Sequence, residues 1–159
     1  MADPNEIKLP LLERAYHHYK DKSQAPKILQ ETNQIIADAD AYVIITAEYN
    51  HSMPPALTNL LDHFPGSSYK YRPAGIVCYS AGQFGGQRAA MQARCLMAEL
   101  GTPTTSFLFS IPNIHNNLDV DGNPQDEKMD TGAERLIEEL EWYATALRIH
   151  RDMYGKPPR

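Results

Sequence analysis

The stretch ITAEYNHSMPPAL, residues 45–57, decides how this chain folds. An apolar, β-branched run, Tyr42-Val43-Ile44-Ile45, ends abruptly in Glu48, Tyr49, Asn50, His51 and Ser52. A short strand with almost no polar residue is one buried on both faces of a parallel sheet, so residues 41–47 are predicted as such a strand. Pro54-Pro55 then pre-set the backbone for a helix, with Ser52 as its expected cap. Ala56, Leu57, Leu60, Leu61 and Phe64 recur at helical spacing until Pro65-Gly66 stop them. A buried strand that hands a tight polar cluster to a helix has the shape of a ligand site.

The same grammar repeats on either side. Residues 73–79 (PAGIVCY) read as a second buried strand, which runs into the small-residue loop SAGQFGGQ, residues 80–87. A helix is expected from about Gly86 to Leu100, terminated by Gly101, and a third strand over residues 104–109 (TTSFLF). Upstream, Ile28, Leu29, Thr32, Ile35 and Ile36 mark one face of a helix with Ser23 as its cap and Pro26 in its first turn. Residues 1–24 read as an irregular lead-in, and residues 113–130 as a long polar connection. A capping box, Thr131-x-x-Glu134, is expected to open a last helix striped with Leu136, Leu140, Tyr143 and Leu147. Strict alternation of short buried strands with helices predicts an α/β fold with a parallel sheet, helices on both faces and right-handed crossovers, in one domain over residues 1–159.

Composition narrows the function. With 22% charged and 42% hydrophobic residues the chain has the make-up of a soluble globular protein. A net charge of −5 argues against nucleic acid or anionic membrane as partner. No apolar run is long enough to span a bilayer and no secretory leader pattern opens the chain, so the cytoplasm is the expected location. Cys78 and Cys95 sit in apolar runs without CxxC spacing and read as two buried free thiols.

In parallel sheets ligands bind beyond the carboxyl ends of the strands, where residues 47–53 and 80–87 lie. Gly82, Gly85 and Gly86 would let backbone pass close to something flat, and each loop leads into a helix start whose N–H groups favour electron-rich oxygens. Each loop alone reads equally as a tight turn; the pair at successive strand ends points to a site. The glycine spacing is neither G-x-G-x-x-G nor a P-loop. Ser80 lacks the G-x-S-x-G frame of a nucleophile elbow. Asp119-Val-Asp121-Gly122-Asn123 has its glycine and acid at the wrong positions for a calcium loop and reads as a polar turn. No catalytic residue and no metal site is expected.

AEYNHSMPPALTNLLDHF resembles the P-E-Y-N-x-S-x-P-x-x-L-K-N-x-x-D segment of the NADPH-dependent FMN reductases, flavodoxin-like flavoproteins that include azo-, quinone and chromate reductases. SAGQFGGQRAAMQARCLMAELG is similar to their S-x-G-x-x-G-G-x-R-A-x-x-Q-L-R loop and helix, and LEWYATAL to their last helix. The resemblance implies a flavin site walled by Glu48, Tyr49, Asn50, His51 and Ser52 on one side. Ser80, Ala81, Gly82, Gln83, Phe84, Gly85 and Gly86 wall the other. It implies FMN as cofactor, NADPH as electron donor, a small-molecule acceptor such as a quinone, and a homodimer or higher homo-oligomer using Leu57, Leu60, Leu61, Phe64, Met91 and Arg94. The departures also carry weight. The first strand, the Gly-Ser-x-Arg-x-x-Ser phosphate loop, the first helix and the second strand of the family have no counterpart in these residues, roughly 35–45 residues of a typical member. Ala47 stands where proline is usual. Two expectations follow: an FMN phosphate short of donors, and an open apolar edge on the strand over residues 41–47. A flavin-free remnant acting as a self-associating interaction module is the alternative reading.

Overall fold

A computed structural model describes residues 1–157. Three strands, β1 (Tyr42–Ala47), β2 (Ala74–Tyr79) and β3 (Thr104–Ile111), form one parallel sheet in the order β1-β2-β3. The helices are α1 (Pro4–Ile7), α2 (Lys27–Asp38), α3 (Pro55–Asp62), α4 (Gly66–Tyr69), α5 (Gln87–Glu99), α6 (Ile114–Asn117) and α7 (Glu127–Tyr154). The expected alternation of strands and helices is therefore present. Short 3-10 turns at Tyr16–His18 and Lys22–Gln24, together with α1, give the lead-in more structure than its polarity suggested.

The two faces of the sheet are built differently. On one, Ala74, Ile76 and Cys78 of β2 are completely buried against Ala89, Ala90, Ala93 and Met97 of α5. The alanines let helix and sheet approach closely, and Leu29, Ile36, Ile44, Leu61 and Phe64 extend this core beneath α2 and α3. On the other face lies α7, whose Leu136 fills the space above Gly75: a Cβ there would stand 3.2 Å from the leucine Cγ. Beyond the sheet, Arg151 of α7 donates to Asp40 at 2.6 Å and to the Tyr71 carbonyl at 2.7 Å. Buried Arg72 gathers the carbonyls of Ala37, Ala39 and Ser68, closing the C-terminal end of α2.

Several local expectations are corrected. Helix α2 starts after Pro26, while Ser23 pairs with Asp21 instead of capping. Helix α7 opens four residues before the expected capping box: Asp126 accepts the Lys128 N–H, and Thr131 merely donates back to the Glu127 carbonyl. Strand β3 runs on to Ile111 with an irregularity in its pairing. Cys78 is buried and its thiol pKa is pushed up by that burial, but Cys95 is exposed because the helical period turns it away from Ala93 and Met97. Asp119 forms the polar turn foreseen, its carboxylate accepting from the N–H groups of Asp121 and Asn123.

Candidate flavin site

The polar cluster after β1 is a tight turn docked on a helix. The Glu48 N–H donates to the Tyr79 carbonyl at 3.1 Å, extending the β1–β2 ladder by one residue. Tyr49 and Ser52 then exchange backbone hydrogen bonds of 2.9 Å each way, with Asn50 (φ 51°) and His51 (φ 63°) between them in the left-handed region. Two successive positive φ values define a type I′ turn, and asparagine and histidine are among the non-glycine residues that enter this region most readily. The turn thereby displays Tyr49, Asn50 and His51 to solvent at the tip of the strand.

Two side chains of the cluster point inward and join the corners. The nearly buried Glu48 carboxylate accepts the Arg88 N–H at 2.9 Å, the Ala89 N–H at 3.3 Å and the Arg88 guanidinium at 3.1 Å. Burial alone would raise its pKa, but hydrogen bonds from Ala89 and Arg88 and the guanidinium charge prevail and hold the carboxyl below the usual glutamate range. Ser52 donates to Gln92 at 2.8 Å, and Gln92 donates to the His51 carbonyl at 3.0 Å and accepts the Met53 N–H at 3.3 Å. Ser52 is thus a clamp to α5 and not the cap of α3. Arg88 and Gln92 were missed as site residues. Their signal was present, since they hold the arginine and glutamine places of the motif that follows the Gly-rich loop.

The second corner folds back on the protein. Gly85 (φ 60°) and Gly86 (φ 80°) are required by their own neighbours: a Cβ would lie 2.2 Å from Ser110 Oγ in the first case and 2.7 Å from the Tyr79 nitrogen in the second. The expected close approach at these two glycines is therefore to β2 and β3. Gly82 differs, since nothing stands within 4 Å of a Cβ built on it. The Ser80 hydroxyl donates to the Gly82 carbonyl at 3.0 Å, which also receives the Asn113 N–H. Ala81, Gly82, Gln83 and Phe84 are exposed, and among the described residues no protein acceptor meets their backbone N–H groups. The Arg88 guanidinium lies 4.5 Å above the Phe84 ring. A groove of about 660 Å³ runs along the outer side of β1 and reaches the first corner at Tyr49 and Tyr79, with Val43, Ile45, Leu57 and Leu60 on its walls. The Gly-rich loop does not line that groove.

Both helix starts depart from expectation. Pro54 and Pro55 carry no N–H with which α3 could greet an anion, and the first N–H groups of α5 already serve Glu48. Measured against FMN, the residues divide. The exposed Ala81–Phe84 backbone, whose N–H groups meet no protein acceptor among the described residues, suits the polar edge of an isoalloxazine ring, and the exposed Phe84 ring suits its face. The phosphate finds no comparable set of donors at these corners.

Comparison with known proteins finds relatives among flavin-dependent reductases. A family model described as NADPH-dependent FMN reductase matches residues 1–116. The chain is 29% identical over 127 residues to an NAD(P)H-dependent FMN reductase of Pseudomonas aeruginosa, covering 77% of this chain and 69% of that protein. It is 35% identical over 96 residues to a 2-hydroxy-1,4-benzoquinone reductase of a Burkholderia species, covering 58% of this chain but only half of that one. Among solved structures, the flavoenzyme NAD(P)H:(acceptor) oxidoreductase FerB of Paracoccus denitrificans superposes with a TM-score of 0.63 at 26% identity, over 92% of this chain and 86% of the other. An oxidoreductase of Corynebacterium diphtheriae, 13% identical, shares the fold with a TM-score of 0.64 over 78% of this chain and 65% of its own. With a flavodoxin-like parallel sheet, two joined β-to-α corners and a family match over most of its length, the chain belongs to the NADPH-dependent FMN reductase family.

Proposed function

We propose that the protein is an NAD(P)H-dependent flavin oxidoreductase that passes two electrons from the nicotinamide through FMN to a small acceptor, with quinones the leading class. The observation that carries this reading is the tying of the Tyr49–His51 turn by Glu48 and Gln92 to helix α5, the helix that the Gly-rich loop leads into. The flavin, when bound, supplies the hydride chemistry. The chain's own residues bind and orient. The Ala81–Phe84 backbone offers neutral donors to a ring edge, Tyr49 is exposed at the tip of β1, and Gln92 fixes the turn that carries it. No side-chain acid or base is assigned. The quinone class draws support from the relative named for 2-hydroxy-1,4-benzoquinone.

The wider setting belongs to the same proposal: a single domain working in the cytoplasm. No described helix is long and apolar enough to cross a membrane, and no described cluster of His, Cys, Asp and Glu could hold a metal ion. Self-association is also proposed, but not through the surface that the family resemblance implied. Leu60, Leu61 and Phe64 are in the core, while Met91 is 46% exposed. The outer edge of β1 is the better candidate, and it is also the observation that favours the second reading, a flavin-free self-associating module.

The test is direct. Purified protein mixed with FMN should gain bound flavin absorbance at about 450 nm after gel filtration, and should then oxidise NADPH only when a quinone is supplied. A colourless protein with no NADPH oxidation would leave the self-associating module as the surviving reading.

A further inference from the structure

Helix α7 carries a second apolar stripe besides the one that packs on the sheet. Leu136 and Leu140 are buried, whereas Trp142, Ile149 and Met153 are 69%, 51% and 66% exposed, with exposed Ala146 between them. Spacings of four, three and four residues set these four side chains in one line about 17 Å long. A line of that spacing on an open helix face is the seam into which a second helix packs. A shallow groove of about 500 Å³ opens beside it, lined by Glu138, Glu141, Trp142, Thr145 and Ala146.

The charges along the seam decide what that second helix must be. All three arginines of α7 are turned back to the protein itself. Arg148 and Arg151 pair with Asp40 at 3.4 and 2.6 Å, and Arg135 lies 4.2 Å above the Phe107 ring. Glu138, Glu141 and Asp152 are exposed and enter no ion pair among the described residues. At about 100° per residue all three fall on one flank of the seam, which is therefore apolar along its line and acidic beside it. That flank repels an anionic lipid surface or a nucleic acid. A second copy of α7 laid antiparallel would bring acidic flank against acidic flank.

From this juxtaposition we infer that the exposed seam of α7 docks a basic amphipathic helix of another protein. The apolar face of that helix covers Trp142, Ala146, Ile149 and Met153, and its lysines or arginines meet Glu138, Glu141 and Asp152. None of these residues belongs to the two corners, so the inference stands independently of the flavin reading.

Trp142 is the only tryptophan of the chain, so its emission reports on the seam directly. The probe is a synthetic helix of about 18 residues with leucine at heptad positions a and d and lysine elsewhere, titrated into the full chain. Emission should move to shorter wavelength and become shielded from acrylamide, with a dissociation constant of about 100 μM or tighter. The double variant Glu138→Lys/Glu141→Lys and, separately, Ile149→Lys should each weaken binding at least about tenfold while keeping the parent circular dichroism. The same probe with glutamate in place of lysine should leave the emission unchanged. No shift with the lysine probe, an equal shift with the glutamate probe, or full binding by the charge-reversed variant would each overturn the inference. So would a shift produced by concentrating the protein alone, which assigns the seam to its own copy, or by phosphatidylglycerol vesicles alone, which assigns it to a lipid surface.

Discussion

At Gly86 the backbone holds φ 80° with the Tyr79 peptide pressed against it, a Cβ clashing at 2.7 Å; at Gly82 the space is open. The two glycines read alike in the sequence, and only the distance to β2 separates them. Gly86→Ala should lose about 1–3 kcal/mol in urea unfolding, through the left-handed backbone and the clash together, whereas Gly82→Ala should stay within about 0.5 kcal/mol of the parent. Equal losses at both positions would mean that the loop does not pack on β2 as described. Glu48 shows a similar division of legibility. Its membership of the site could be read from the strand tip, but its role could not, since its N–H partners lie forty residues away on α5. Because its folded pKa lies below the ordinary value, its ionised form stabilises the fold above the unfolded-state pKa, and that contribution is lost as pH falls through the folded one. The stability gap between the parent and Glu48→Gln should therefore be full above about pH 5 and narrow on acidification. Chemical denaturation at several pH values gives the gap. A gap that widens towards acid pH would contradict the ion pair with Arg88.

Elements were legible where burial fixes composition and obscure where a single side chain sets a boundary. All three strands were legible as short runs, but the burial on both faces expected of residues 41–47 holds only for β2: α7 leaves one face of β1 uncovered, so Val43 and Ile45 are exposed there. Helix α7 did not announce its start. Its first turn, Glu127-Lys128-Met129-Asp130, is charged and reads as a loop, yet these residues form helix readily once Asp126 takes the Lys128 N–H and acidic groups meet the helix dipole. The Thr131-x-x-Glu134 pattern was a decoy, matching a capping box in spacing while lying inside a helix that had already begun. Asp126→Ala should cost about 1 kcal/mol and fray the first turn of α7, seen as faster amide exchange there, while Thr131→Ala should be nearly silent. The reverse order would place the cap where the sequence pattern suggested.

The sheet as a whole has two edges, and the protein treats them differently. On β3 the pairing with β2 is irregular between Thr104 and Leu108, and the Glu139 carboxylate of α7 accepts the N–H groups of Ser106 at 2.7 Å and Phe107 at 3.1 Å. A bulge and a charge together make that edge a poor template for another strand. On β1 the N–H groups of Tyr42 and Glu48 turn towards β2, so by parallel-ladder alternation those of Val43 and Ile45 face outward. No charge, bulge or proline interrupts this edge, and Val43 and Ile45 are 42% and 57% exposed on the face that α7 leaves uncovered. The open edge was an expectation of the family resemblance. The contrast with β3 was not, because the bulge and its carboxylate partner come from segments 33 residues apart. An uncharged antiparallel pairing of two β1 strands would match Val43 with Ala47 of the partner and Ile45 with its own copy. Every outward backbone group then finds a complement, and no like charges meet despite the net −5 of each chain. Ile45→Lys places a charge at the centre of that pairing while changing a side chain that already faces solvent, so the monomer fold should persist by circular dichroism. Sedimentation at tens of micromolar should give a dimer for the parent and the mass of one chain for Ile45→Lys, with Trp142→Lys on the far exposed face of α7 leaving the dimer unchanged. A parent that sediments as a monomer throughout, or an Ile45→Lys that still dimerises, would show that the β1 edge is closed by something other than its own copy.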